Sequence, residues 1–164
     1  IQADLATVKG LVEEKEYLKA LYLLEIMPEN IESATLKYQC KLEIFENSAI
    51  RYFDVIREKY RDDEQYPAVM ESIMHWVLVS DSRTDAVIKN GLDAAERLLR
   101  SGRNGDYRVH ETMGILCYRY GESFKRKGVQ ALENSIPAAK MNREGDDVIK
   151  HLEEQVKIYR EKLD

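Results

Sequence analysis

Long apolar runs, proline and cysteine are all scarce in this chain of 164 residues, and each scarcity closes a route. The densest apolar window, around Trp76–Val79, falls far short of the roughly 20 residues that cross a bilayer, so no membrane span is expected. Three prolines and eight glycines interrupt the chain little, and alternating β-branched runs are few, so strands are not expected. The two cysteines, Cys40 and Cys117, lie far apart without a CxxC or a neighbouring His. They read as small buried apolar residues in a reducing, cytoplasmic setting, not as metal ligands. His75, His110 and His151 form no HExxH, and neither GxxxxGK[ST] nor GxGxxG occurs. Acidic pairs such as Glu13-Glu14 and Glu153-Glu154 fall on polar faces, where solvation accounts for them. No cofactor, metal or catalytic residue is therefore expected, and the chain is not read as an enzyme. It shows no signal peptide and starts at Ile1, so a fragment of a longer protein is expected.

What is present is apolar and charged in helical proportion. Hydrophobic residues make up 44% and charged residues 34%, enough apolar surface to offset chain entropy in one folded domain spanning 1–164. The net charge of −5 argues against nucleic acid as a partner. Between Arg83 and Gln130, however, ten Lys/Arg face six Asp/Glu, so only this section suits an anionic partner.

The stretch Lys15–Asn30 organises the rest. Its Tyr17, Leu18, Leu21, Tyr22, Leu24 and Ile26 cover so much of a helix surface that packing on more than one side is expected. A helix from Asp4 to Glu13 precedes it, and Pro28 ends it, since the residue before proline avoids the helical region. Asn30 caps a third helix, on which Lys37, Lys41 and Glu43 should face out. Asn47 is the expected cap of a fourth, with Ile50, Phe53, Ile56 and Tyr60 on its apolar face. Pro67 suits the first turn of a fifth, dense in Val69, Met70, Ile73, Met74 and Val77. A sixth spans about Thr84–Arg100. After the loop Gly102–Gly105, Asp106 caps a seventh, which should extend through Phe124 and close on Lys125-Arg126-Lys127, where cations complement the helix dipole. An eighth starts at Val129, with a kink or break at Pro137, and a one-sided last helix starts at Asp146-Asp147.

A spacing of small residue, large residue four on and third contact three further recurs at Ala20/Leu24/Met27, Ala49/Phe53/Ile56 and Ala95/Leu99/Gly102, while Ala131/Ser135/Ala138 keeps the spacing alone. The run Lys15-Glu16-Tyr17-Leu18-Lys19-Ala20-Leu21 resembles the turn into the second helix of a tetratricopeptide repeat, with Leu18 at a usually polar position. Gly114 with Tyr118 or Tyr120 resembles the repeat's first helix. The resemblance implies an all-α fold of antiparallel helix pairs stacked as a right-handed superhelix, the alternative being a compact α-α bundle. It also implies binding of a partner's peptide or helix in a groove, as in adaptors and assembly scaffolds. A homo-oligomer formed through the same kind of surface is the competing expectation.

The arginines Arg97, Arg100, Arg103 and Arg108 gather in sequence around the Gly102–Gly105 joint. Guanidinium forks suit carboxylate and phosphate oxygens, so these four are the candidate partner-binding residues. Ion pairs with Asp93, Glu96 and Asp106 are the plainer expectation for the same side chains.

Overall fold

A computed structural model describes residues 3–44, 46–80, 84–103 and 105–163, and those residues form nine α-helices and no strand. These are α1 (Leu5–Glu13), α2 (Tyr17–Ile26), α3 (Ile31–Ile44), α4 (Glu46–Lys59), α5 (Tyr66–Val79), α6 (Asp85–Leu98), α7 (Tyr107–Tyr120), α8 (Lys125–Met141) and α9 (Asp146–Glu161). None of the described helices is long and apolar enough to cross a membrane. The chain divides into two compact units, Ile1–Val69 and Met70–Asp164, and the division falls in the first turn of α5.

In the first unit α1 packs on α2, α2 on α3 and α3 on α4. Asp4 caps α1 by accepting from the Thr7 N–H at 2.8 Å. Asn30 and Ser33 exchange backbone-to-side-chain hydrogen bonds at 2.8 Å each way, a reciprocal cap that starts α3 after Pro28 has stopped α2. Val8, Ala20, Leu21, Leu23, Leu24 and Cys40 form one buried cluster, and Ala20 is fully buried. Tyr38 and Phe53, both closed to solvent, join α3 to α4 with ring centroids 6.2 Å apart. Lys37 departs from expectation: it is buried, not facing out. Its stem lies in the α3–α4 seam with the ammonium 6.0 Å from the Tyr52 ring, a side chain that buries its methylenes while its charge meets an aromatic face. Asn47 is a correction too, for α4 already includes it. Phe45 and 81–83 lie outside the described residues, as does Asn104 in the expected Gly102–Gly105 loop.

In the second unit α7 and α8 run in opposite directions, while α5, α7 and α9 run in the same direction. The α7–α8 pair is closest. A Cβ added at Gly128 would stand 2.6 Å from the Gly114 carbonyl oxygen and 2.9 Å from the Tyr118 nitrogen, so the two backbones touch because neither glycine has a side chain. Gly114 also faces Leu132, so the pairing of 114 with 132 and of 118 with 128 is antiparallel. Helices two apart are parallel: Glu111 meets His151 and Tyr118 meets Tyr159 between α7 and α9. Likewise Glu71 pairs with Arg103 just before α7, and the Leu78 carbonyl accepts from Arg119 near its end. The step from 78 to 119 equals that from 118 to 159.

Two boundaries correct the sequence reading. Here α7 ends at Tyr120, and α8 begins at Lys125, not Val129. Lys125-Arg126-Lys127 therefore occupies the first turn of α8, the end whose dipole disfavours cations. Lys125 is compensated by Glu122 at 2.7 Å and by the Tyr118 ring at 4.9 Å, and Lys127 lies over the Phe124 ring. Gly128 is the helix contact, not the turn. Pro137 sits inside α8, which continues to Met141.

Candidate functional site

The four arginines are distributed among different partners. Arg103 is held from two sides, its Nη2 donating to Glu71 Oε2 and Asp106 Oδ2, both at 2.9 Å. Asp106 first, then Glu71, raises its pKa above the ordinary guanidinium value. Arg100 pairs loosely with Glu96 at 3.9 Å. Arg97 is half-buried on α6, and its buried Nε meets no acceptor among the described residues. Arg108 lies over its neighbour Tyr107, 5.7 Å from the ring. Arg103 and Arg108 reach one shallow opening of about 410 Å³, shared with Asp106 and Glu144, whereas Arg97 and Arg100 do not line it. Two cations and two carboxylates at one mouth leave no net charge to recruit an anion.

A more enclosed cleft lies between α6, α7 and the start of α8. Leu92 from α6, Met113, Cys117 and Tyr120 from α7, and Phe124 make its apolar lining, with Lys89, Asp93, Glu96 and Lys127 also around it. The local sequence builds it in two ways. Gly121 ends α7, which frees Phe124 to fold back edge-on against Tyr120, with centroids 4.7 Å apart at 89°. Gly91, on the buried side of α6, lets Leu116 and Val77 approach where a Cβ would meet both within 2.8 Å. The cleft measures about 200 Å³. Small-molecule sites usually need roughly 300–1,000 Å³, so this one has the size of a single large side chain.

Its chemistry is that of contact. Burial pushes the Cys117 thiol above its ordinary pKa, and Lys127 only partly offsets this, so the sulfur stays protonated and a poor nucleophile at neutral pH. Cys40, fully buried in the first unit, is pushed up to about 11 by burial. His75 is exposed on α5. His151 meets Glu111 at 3.3 Å, an acidic partner forty residues away that no local motif announces. Among the described residues no three His, Cys, Asp or Glu side chains are grouped to hold a metal ion.

The sequence reading extends the seventh helix through Phe124 and so places no cleft here. Missing from it was the end of α7 at Gly121, without which Phe124 cannot turn back to wall the cleft. Comparison of the chain with protein-family models, with curated proteins and with solved structures gives no match.

Proposed function

We propose that the chain is a non-catalytic protein-interaction module whose α6–α7–α8 cleft receives one large apolar side chain from a partner's peptide or helix. The observation that carries this is the cleft's size together with its lining. Met adapts to differently shaped guests, and aromatic residues and Met are enriched where proteins meet. Lysines and carboxylates around an apolar floor suit a guest residue flanked by polar ones. The alternating helix directions and the small-residue contacts at Ala20 and at Gly114–Gly128 support a tetratricopeptide-like paired-helix stack. Two buried, unpaired thiols support a reducing compartment, hence the cytoplasm.

Selection of peptides from a random display library against the purified chain tests the proposal. Enriched sequences should share one large apolar residue, and their affinity should drop by about tenfold or more in Met113→Lys, a half-buried position where a folded variant is attainable. No enrichment, or enriched peptides indifferent to Met113→Lys and Leu92→Lys, would overturn it.

A further inference from the structure

On α2, Ala20, Leu21, Leu23 and Leu24 are buried, while Leu18, Tyr22 and Ile26 remain 63%, 69% and 62% exposed. Residues four apart stand one above another on a helix, so these three make a continuous apolar ridge. Among the described residues the other large exposed apolar ones, Val55, Val79, Met141 and Ile158, each lie on a different helix. Single exposed apolar residues are normal, but a ridge of three is a surface awaiting cover.

The charges beside the ridge have an order. On α2 itself Lys19 stands by its N-terminal half and Glu25 by its C-terminal half, and both are exposed. We propose that this ridge pairs antiparallel with the same ridge of a second copy of the chain, about a two-fold axis at Tyr22. That arrangement sets Leu18 level with Ile26 of the second copy, Tyr22 beside its counterpart and Lys19 level with Glu25. Parallel pairing would put like charges at every level. The antiparallel arrangement puts opposite ones there, within reach of the roughly 10 Å screening length of 0.1 M salt. An interface that is its own complement is what a two-fold dimer requires, and it needs no other protein to explain the pattern.

Neighbouring groups decide which charge matters most. Glu29 already holds Tyr52 and Lys59, so Glu25 is the freer acid. Glu16 pairs with Lys19 at 3.9 Å on the exposed surface, a weak ion pair that leaves Lys19 open to a second carboxylate. A standard interface covers roughly 800 Å² on each partner, more than three side chains supply, so dimers should form at about 10–100 µM and above.

Sedimentation equilibrium of the full chain from about 1 µM to about 500 µM reads the proposal directly. The mass should rise from 19.1 kDa toward twice that value. Tyr22→Glu should raise the dissociation constant by about tenfold or more while leaving the thermal melt of dilute protein unchanged, since Tyr22 is 69% exposed in the monomer. Lys19→Glu should weaken the dimer by about threefold, and mixing it with Glu25→Lys should restore wild-type association. A chain monomeric throughout would overturn the proposal, as would a dimer indifferent to Tyr22→Glu. A dimer lost with Tyr22→Glu but unaffected by Lys19→Glu would overturn the antiparallel arrangement. Capture of a different protein by the ridge of a chain that stays monomeric would overturn the second copy as its occupant.

Discussion

In both the α1–α2 and the α8–α9 hairpin, a residue other than glycine turns the corner at positive φ, Lys15 at 61° and Arg143 at 57°. The hydrogen bonds around them correspond one to one. Glu16 N–H reaches Leu11 O at 2.8 Å and Lys15 N–H reaches Val12 O at 3.0 Å; Glu144 N–H reaches Ala139 O and Arg143 N–H reaches Lys140 O at 3.0 and 3.1 Å. Each pair is the six-to-one and five-to-two closure that satisfies the last carbonyls of a helix. Beyond the corner the hairpins diverge. The outer face of α2 is the ridge of Leu18, Tyr22 and Ile26, while α9 exposes Lys150, Glu153, Glu154, Lys157 and Glu161. Corner chemistry sets where the next helix runs, and outer-face composition sets whether that helix is a finished surface.

The largest expected effect concerns what holds the inner faces. α8 is seated through a glycine-to-glycine contact and α2 through Ala20. Gly128→Ala should cost about 2–3 kcal/mol despite the better helix propensity of alanine, because its Cβ meets backbone atoms that cannot step aside. Ala20→Leu should cost about 1–3 kcal/mol, since flexible side chains share the strain there. Gly10→Ala is the control: with nothing within 4 Å of its Cβ, it should stabilise by about 0.5–1 kcal/mol. Denaturant melts of the three variants rank them. A neutral Gly128→Ala would mean that the close approach of α7 and α8 is not required.

The two corners give a smaller, symmetric effect. Glycine adopts positive φ without the strain that Lys15 and Arg143 bear, but loses more freedom on folding, so Lys15→Gly and Arg143→Gly should each stabilise by about 0.5–1 kcal/mol. A gain at one and a loss at the other would show that the corners are alike in geometry and not in energy.

The helices were legible because each carries its own apolar stripe and punctuation: Asp4, Asn30 and Asp106 cap where the residue types suggest, and Pro28 stops α2. Errors came where one residue type serves two physical ends. Gly128 suits a turn as well as a close contact, and only Gly114 on the facing helix decides between them. Leu18, Tyr22 and Ile26 look from sequence like core, since an uncovered apolar side chain has the same identity as a covered one. Arg100–Glu96 and Arg103–Asp106, three or four residues apart, were foreseeable; Arg103–Glu71 and Glu111–His151 depend on which helices become neighbours.

The smallest effect separates one buttressed carboxylate in each unit, and its sign is the useful part. In the first unit Glu29 accepts from Tyr52 Oη at 2.5 Å and from Lys59, with Lys37 nearby, and the Tyr52 hydrogen bond chiefly lowers its pKa below the ordinary 4.5. Folded protein thus binds that proton less tightly than unfolded chain, so the contribution is present above about pH 4.5 and is lost as pH falls through the lowered value. In the second unit Glu111 goes the other way. Burial raises its pKa, and His151 and Arg108 offset this only in part, so its contribution falls as pH rises from 4.5 through the raised value. Melting temperatures of wild type, Tyr52→Phe and Glu111→Gln between about pH 3 and pH 7 isolate the two. The advantage of wild type over Tyr52→Phe should shrink toward low pH, and any advantage over Glu111→Gln should shrink toward neutral pH. Differences that move in the same direction for both variants would mean that one of these carboxylates is not in the environment its neighbours define.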